Sequence, residues 1–408
     1  MPNPTIKEML DSFDSLTLVQ TSYTLGDQQE EKLRKMIEGI KLYQKYIAAT
    51  DGVLESKRIT PSSEYAPNPD PLTIRKEAKL LHPADNEFSL SANEIKAFID
   101  NGIIGPFDVI SPDQAEFLYH QTYDMYENEF EKNYLLGEKL KQLLKKNNNW
   151  TLNYAGAWQA LNCKEYRDLL SQPAMTDRLA SLLGNNIMCW RSQLFEIKPN
   201  QAGTFWHQAS AFKETSKAEK LKFPSNVDPR MGQLTGWIAL NDVDETNACM
   251  QFLPGSQTHD CYEKFIYEFL DNIAYFMKDK TDEEIYSNLK TLIFSPNIFH
   301  KTYCVLKEAV NYLEWLFDGF EVKAYRMKAG QAIIFSSMVC HASYGNSSNR
   351  SRLAIGGRYT TPDVKVYDGF TCDHLSTQAG NLEFPIDKLA CFMVRGVDEY
   401  HYNNIASF

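Results

Sequence analysis

Short apolar stretches separated by turn residues dominate the chain after about residue 185. The runs span residues 187–198, 234–240, 248–255, 332–340 and 353–360. Several of them end at Gly, Pro or Asn, which are the residues that favour turns. Short apolar or alternating segments at this spacing are typical of strands in a sandwich or barrel, so the second half of the chain predicts a β-rich core.

The first part of the chain follows a helical period instead. Between residues 27 and 49 apolar side chains recur at helix spacing, and residues 113–146 repeat the pattern. Ser91-Ala-Asn-Glu predicts a capped helix start at Ser91. The proline-rich stretch from 60 to 71 predicts an irregular linker, because proline joins neither a helix interior nor a strand ladder.

These patterns divide the chain into an extension and a main domain. We predict an N-terminal helical extension over residues 1–95 and a main domain over residues 96–408. Within the main domain, the segment from about 260 to 320 interrupts the strands with a mostly helical pattern. It is therefore predicted to be an insertion.

Composition and charge exclude several classes of protein. The 408 residues are 43% hydrophobic and 23% charged, which is ordinary for a globular chain. The net charge of −11 and the lack of a basic block argue against nucleic-acid binding. No apolar run approaches the roughly 20 residues that a membrane helix needs, and the start lacks a signal-peptide core. We expect a soluble cytoplasmic protein with no membrane or nucleic-acid partner.

The cysteines do not form a recognisable metal or disulfide framework. All eight are scattered, without a CxxC pair, and several lie inside apolar runs. Buried thiols in a reducing compartment are the expected state.

Two histidines in the strand-rich half are candidates for metal binding. His207 lies in Gly203-Thr-Phe-Trp-His-Gln-Ala, and His341 lies in Ser336-Ser-Met-Val-Cys-His-Ala-Ser-Tyr, with Arg352 downstream. Non-haem iron oxygenases bind the metal through two imidazoles and one carboxylate on one face. The carboxylate ordinarily stands two residues after the first histidine, where this chain has Ala209.

The order of several short motifs carries a family resemblance. The matching pieces are residues 203–209, Trp237-Ile-Ala-Leu-Asn-Asp, Cys249-Met-Gln-Phe-Leu-Pro-Gly-Ser-Gln, residues 327–335, His341-Ala-Ser-Tyr, Arg352 and Arg358-Tyr359. From about Phe98 to Tyr367 the chain resembles the phytanoyl-CoA dioxygenase superfamily. With alanine in the carboxylate position, it is most similar to the iron- and 2-oxoglutarate-dependent aliphatic halogenases.

The resemblance implies a fold and a set of site residues. The fold would be a double-stranded β-helix, a cupin-like jelly roll that is mainly β with flanking helices. The implied residues are His207 and His341 as iron ligands; Thr204, Trp237 and Arg352 around 2-oxoglutarate; Ala209 as the open halide position; Arg358 near the halide; and Phe212, Glu214, Thr235 and Ser337 in the halide or substrate pocket.

The resemblance also implies a reaction. The implied cofactors are Fe(II), 2-oxoglutarate, O2 and chloride or bromide, and the reaction replaces an aliphatic C–H with C–Cl while releasing succinate and CO2. Chloride would take the position and the charge of the missing carboxylate. Two alternatives remain open: a hydroxylase with water in that position, and a metal-free binding module on the same fold.

The resemblance implies a small-molecule substrate, either free or tethered to an acyl carrier protein. A basic segment follows the first motif and consists of Lys213, Lys217, Lys220, Lys222 and Arg230. It is read as a solvated helical face or lid, or as a docking patch for an acidic carrier protein.

Overall fold

The computed structural model of this protein describes residues 72, 87–128, 158–201, 203–204, 208, 220–258, 281, 283–284, 320–370, 372–375, 382–386 and 389–408. Nearly all of the predicted N-terminal extension and of the predicted insertion at 260–320 lies outside these ranges. The helices expected in those segments therefore stay predictions.

The described residues form five α-helices. They are α1 (Ala92–Asn101), α2 (Pro112–Asn128), α3 (Lys164–Leu170), α4 (Pro173–Leu183) and α5 (Pro229–Gly232). Two single 3-10 turns are also described: Gln159–Leu161 lies between α2 and α3, and Ser256–Thr258 follows α5.

Thirteen strands are described. They are β1 (Ile103–Asp108), β2 (Ile187–Ile197), β3 (Leu221–Lys222), β4 (Leu234–Ala239), β5 (Met250–Phe252), β6 (Lys323–Tyr325), β7 (Gln331–Ser336), β8 (His341–Ser343), β9 (Arg352–Thr360), β10 (Lys365–Val366), β11 (Cys372–Leu375), β12 (Leu382–Pro385) and β13 (Phe392–Arg395). Each of the five apolar runs in the sequence contains one of these strands.

The strands form two antiparallel sheets that carry the core. The larger sheet has the order β1-β7-β4-β9-β2-β13, and the smaller sheet has the order β6-β5-β8. Sequence neighbours are mostly not sheet neighbours, which is the connectivity expected of a jelly roll. Two further pairs, β3 with β10 and β11 with β12, stand apart.

Alternation along the strands separates two apolar cores. The inner core joins the two sheets, with Trp237 and Phe335 from the large sheet packed with Phe252 from the small one. The outer core packs the opposite face of the large sheet, including Leu234 and Tyr359, against helices α1 to α4. Because side chains alternate at a period of two, β4 and β9 contribute to both cores.

The start of α1 agrees with its sequence signal. The Ser91 side chain accepts a hydrogen bond from the Glu94 amide, and the Glu94 carboxylate accepts one from the Ser91 amide. Gly102 ends the helix with a φ of 73°, in the left-handed region that glycine adopts without strain.

The described cysteines agree with the expectation of buried thiols. Cys189, Cys249, Cys340 and Cys391 are buried, Cys163 is partly buried, and none of these five forms a disulfide. Among the helices of the described part, none combines the length and apolar character required to cross a bilayer.

Helix α2 is attached to the start of β9 and to the end of β2. The Arg350 guanidinium donates to both carboxylate oxygens of Glu116, and the Tyr119 hydroxyl donates to the Ser351 carbonyl. The Tyr123 hydroxyl donates to the carboxylate of the buried Glu196 at 2.7 Å. Burial raises the pKa of Glu196 above its ordinary value, against the opposing effect of the Tyr123 hydrogen bond.

Glu196 gives a stability prediction with a definite sign. When the pKa of a carboxyl is higher in the folded state than in the unfolded state, the folded protein keeps the proton over a pH range in which the unfolded chain has lost it. The free energy of unfolding therefore falls as pH rises from the unfolded pKa to the folded pKa. Gln at position 196 keeps an acceptor for Tyr123 and has no charge to bury. Within that pH window, Glu196→Gln should gain stability over the wild type by up to about 1.4 kcal/mol per pH unit. Urea unfolding at a series of pH values from acid to neutral checks this.

Glu116→Gln is the matched control, because Glu116 lies on α2, the helix that also carries Tyr123, the partner of Glu196. The Arg350 hydrogen bond lowers the pKa of Glu116, so this pair adds stability above the unfolded pKa of the carboxyl. Its loss should cost no more than about 1 kcal/mol, as for an exposed ion pair. A Glu196→Gln variant that loses stability with rising pH relative to the wild type would contradict the account.

Candidate metal and co-substrate site

His341 begins β8 and lies buried in the inner core. Its Nδ1 lies 2.8 Å from the Val339 carbonyl oxygen. A carbonyl only accepts, so Nδ1 carries the proton, and the lone pair of the neutral ring is on Nε2. A backbone carbonyl that fixes the tautomer in this way is the usual companion of a metal-binding imidazole.

Two aromatic rings fix the orientation of the His341 imidazole. Phe252, its partner on β5, stacks at a centroid distance of 5.7 Å and an interplanar angle of 22°. Phe335 on β7 packs at 4.9 Å. The imidazole plane is therefore set by packing as well as by its hydrogen bond.

His207 lies outside the described residues, but the chain on either side of it is attached next to His341. The Thr204 amide donates to Ser343 Oγ at 2.8 Å, and the Ser343 amide donates to the Thr204 carbonyl at 3.0 Å. Beyond position 207, the buried Gln208 side chain donates to the Met338 carbonyl at 2.6 Å. Thr204 and Gln208, the described residues nearest to His207 in the sequence, therefore lie beside the segment that carries His341.

Gly203 is required by this close approach. A Cβ at position 203 would lie 1.9 Å from the Ser343 carbonyl oxygen, well inside any permitted contact. Only glycine lets the motif backbone lie against β8 at this distance.

Arg352 begins β9 and is buried. Among the described residues, neither its Nε nor its Nη1 has a hydrogen-bond partner. The guanidinium carbon lies 5.2 Å from the centroid of the Trp237 ring. Burial lowers the pKa of Arg352 to about 10, so the side chain is still charged at neutral pH. A buried guanidinium with free donors fits a carboxylate ligand, which accepts two parallel hydrogen bonds from it.

The register of the large sheet places the implied residues in one row. Thr235 pairs with Arg358, and Trp237 pairs with Gly356, so all four face the same side. Arg352 and Arg358 are six residues apart on the uninterrupted strand β9, and they share that inner face as their spacing predicts.

The row has a fixed order along the interior. Arg352 lies at one end, followed by Trp237 and then by the level of Thr235 and Arg358. Phe335 pairs with Thr235, and the His341 ring packs on Phe335, so His341 belongs to the Thr235 level. A ligand held by Arg352 would therefore extend past Trp237 toward His341.

Sequence reasoning missed two polar neighbours of Arg358. Arg358 Nη1 donates to Gln193 Oε1 at 3.2 Å, and Arg191 pairs with Arg358 across β2 and β9. The Arg191 guanidinium carbon lies 4.5 Å from the Trp158 ring centroid. Arg191 and Gln193 face the interior because of the register between β2 and β9. The sequence of β2 alone does not give that register, so it does not show which of its side chains face inward.

The other implied residues are placed unevenly. Ser337 is buried and its amide donates to the Gln233 carbonyl at 3.2 Å, whereas Thr204 is exposed. Ala209, Phe212 and Glu214 lie outside the described residues, so their roles stay predictions. Within the described ranges no group of three His, Cys, Asp or Glu side chains is arranged to hold a metal ion.

The basic segment is not a uniform exposed face. Lys220 is fully buried, with its ammonium 5.9 Å from the Tyr367 ring centroid, so its expected exposure was wrong. Arg230 forms a largely buried pair with Asp228 at 2.8 Å. Lys220 directly precedes β3, and its carbonyl accepts a hydrogen bond from the Tyr367 amide just beyond β10, a tertiary contact that a run of charges in the sequence does not reveal.

Comparison with the solved structure of CytC3 agrees with this fold. CytC3 with Fe(II) and alpha-ketoglutarate matches with 22% identity and a TM-score of 0.53, covering 78% of this chain and 93% of that chain. EctD from S. alaskensis with bound Fe matches with 17% identity and a TM-score of 0.46, covering 76% of this chain and 89% of that chain. No curated protein sequence gives a significant match.

The family comparison covers the part of the chain that holds the site. The description "Phytanoyl-CoA dioxygenase (PhyH)" matches residues 98–354, which are more than half of the chain and include both histidine motifs and Arg352. The jelly-roll fold expected from the sequence is thereby confirmed. The chain belongs to the phytanoyl-CoA dioxygenase family, within the Fe(II)- and 2-oxoglutarate-dependent oxygenases.

Proposed function

We propose that this protein is an Fe(II)- and 2-oxoglutarate-dependent halogenase that replaces an aliphatic C–H with C–Cl. The observation that carries the proposal is Ala209, two residues after His207, at the position where a carboxylate would complete the iron site. A methyl side chain binds no metal, so it leaves a coordination position for a small anion.

The charges around His341 support an anion in that position. The inner-facing residues of β4, β7 and β9 described at this level include Thr235, Phe335 and Arg358, with no Asp or Glu among them. Arg358 and the neighbouring Arg191 add positive charge on the same face. In a low-dielectric interior an added metal cation needs anions, and with Ala209 in place chloride provides one without a protein carboxylate.

The residues of the site fit the cofactors of the family. His207 and His341 would hold the iron through imidazole nitrogens, and the hydrogen bond from Nδ1 to Val339 makes Nε2 the donor atom of His341. Arg352 would bind the distal carboxylate of 2-oxoglutarate together with Thr204, and the Trp237 ring lies beside the Arg352 guanidinium. When bound, iron and 2-oxoglutarate would supply the oxidising chemistry with O2.

The remaining contribution of the chain is to orient the His341 ring and the substrate, and to exclude water from the site. Phe252 and Phe335 surround the His341 ring with apolar area, which keeps water away from that side of the site. We expect the substrate C–H to approach from beyond the Thr235 level, because Arg352 and Trp237 would take the co-substrate on the other side of that level.

Arg352→Lys tests the co-substrate position. A lysine ammonium cannot form the bidentate pair, so 2-oxoglutarate affinity should fall by roughly 2 kcal/mol, about thirtyfold. The measurement is anaerobic titration of the Fe(II)-loaded protein with 2-oxoglutarate, followed by its visible charge-transfer band.

Arg350→Lys is the matched control for that titration. Arg350 lies two residues earlier, and its guanidinium is bound to Glu116 on the outside of the sheet. Its replacement should leave 2-oxoglutarate affinity within about twofold. Equal affinity in Arg352→Lys and wild type would exclude Arg352 as the carboxylate-binding residue.

Ala209→Asp tests the halide position. The new carboxylate should occupy the open coordination site, so iron should still bind while chloride no longer changes the charge-transfer band. Chlorinated products, identified by the chlorine isotope pattern across a panel of free and carrier-bound acyl substrates, should disappear.

Ala209→Gly is its counterpart, because it leaves the position open. This variant should retain the chloride response, at a backbone cost of about 1 kcal/mol in stability. Chlorination by Ala209→Asp at the wild-type rate would refute the halogenase assignment. Hydroxylated products from the wild type at saturating chloride would favour the hydroxylase instead.

A further inference from the structure

The inner row of the large sheet continues beyond Thr235 to Gln233. Gln233 has extended backbone angles, φ −127° and ψ 125°, so the alternation of β4 extends to it and places it on the inner face. Arg352 lies at the opposite end of the row, and His341 lies at the Thr235 level between Arg352 and Gln233. Gln233 therefore lies on the side of the His341 level opposite to the co-substrate, where the substrate is expected to enter.

The backbone around Gln233 is held in place from two sides. Its carbonyl accepts the Ser337 amide at 3.2 Å, which attaches it to the end of β7. The preceding carbonyl, that of Gly232, accepts the Thr360 hydroxyl at 2.8 Å at the end of β9. The position of the side chain is thus fixed by both neighbouring strands.

Trp190 fixes the orientation of the Gln233 amide. The indole Nε1 donates to Gln233 Oε1 at 3.1 Å. Indole nitrogen is only a donor, so the atom facing it must be the amide oxygen. Trp190 is itself packed edge-on against Tyr367, with ring centroids 5.8 Å apart. The opposite end of the amide is consequently an NH2 group in a set position.

That NH2 group is buried and has no hydrogen-bond partner among the described residues. Gln233 is 0% exposed, and its Nε2 is buried as well. An unsatisfied buried donor is destabilising, so folded proteins seldom keep one without a ligand or water to receive it. Gln233 lies on the same face as Thr235, two residues from it.

We propose that Gln233 is a substrate-recognition residue whose Nε2 donates to an acyl oxygen of the substrate, either the carboxylate of a free acid or the carbonyl of a thioester. The inference rests on the proposed function, because it takes the side of the His341 level away from Arg352 as the substrate side. An oxygen that accepts from Gln233 would hold the acyl end of the substrate near the end of β4 and direct the alkyl chain toward His341.

Gln233→Glu is the informative substitution. It keeps an oxygen for Trp190 and replaces the donor NH2 with an acceptor of negative charge. Gln233→Met, of similar size, removes the donor without adding charge and serves if the glutamate variant does not fold. Gln251→Glu is the matched control. Like Gln233, Gln251 is 0% exposed and its Nε2 has no hydrogen-bond partner among the described residues. It stands between Met250 and Phe252 on β5, whose side chains face the inner core, so the Gln251 side chain faces the opposite side of the strand.

The probes are aliphatic amino acids and fatty acids, each as the free acid and as its N-acetylcysteamine thioester, with the corresponding alkylamines lacking an acyl oxygen. Binding to the anaerobic Fe(II)- and 2-oxoglutarate-loaded protein is measured by calorimetry. We expect at least one acyl series to bind the wild type and to lose about tenfold or more in affinity in Gln233→Glu and Gln233→Met. The Gln251→Glu affinity should stay within about twofold, as should 2-oxoglutarate affinity in all variants.

The two series identify the source of the acyl oxygen. Weakening confined to free acids assigns a carboxylate, and weakening confined to thioesters assigns a carrier-bound carbonyl. Unchanged acyl affinity in both Gln233 variants, an equal loss in Gln251→Glu, or binding of alkylamines alone or of no probe overturns the proposal. Halogenation is judged separately from product masses, so hydroxylated products with a Gln233 effect would reject the halogenase and leave this inference standing.

Discussion

Burial of the Arg352 guanidinium is the constraint on which the interior depends. Taking such a charge out of water costs several kcal/mol unless an anion and hydrogen bonds compensate for it. Within the described residues no hydrogen bond satisfies Nε or Nη1, and the nearest aromatic face is that of Trp237. The fold around Arg352 therefore maintains a site that an incoming carboxylate would stabilise, and under the proposed function this ligand is 2-oxoglutarate.

The strand register places the other inward-facing residues in a fixed order relative to Arg352. Because β4 and β9 pair without interruption, Arg352, Trp237, Thr235 and Arg358 share one face in a fixed sequence. The small sheet adds His341 at the Thr235 level through its packing on Phe335. The proposed function assigns co-substrate, metal and substrate to successive levels of this interior. Arg191 and Arg358, which pair with each other at the Thr235 level, favour an anion there.

Much of this arrangement was predictable because it depends on local pattern. The apolar runs gave β2, β4, β7 and β9, and six-residue spacing on one strand was enough to place Arg358 on the face of Arg352. Helix α4 was not predicted, since its residues are buried on nearly every side and show no clear polar face. The burial of Lys220 and the hydrogen bond from Trp190 to Gln233 depend on contacts between segments that are far apart in the sequence. No local sequence pattern predicts such contacts.

Iron binding tests the central claim, that His207 and His341 hold the metal. Anaerobic titration with Fe(II) and 2-oxoglutarate should give one iron per wild-type chain and a visible charge-transfer band. His207→Ala and His341→Ala should each lose both, because a single imidazole does not hold the metal. His120→Ala, an exposed histidine paired with Glu116, should bind iron like the wild type. Stoichiometric iron with an unchanged band in either single variant, or no band in the wild type, would contradict the account.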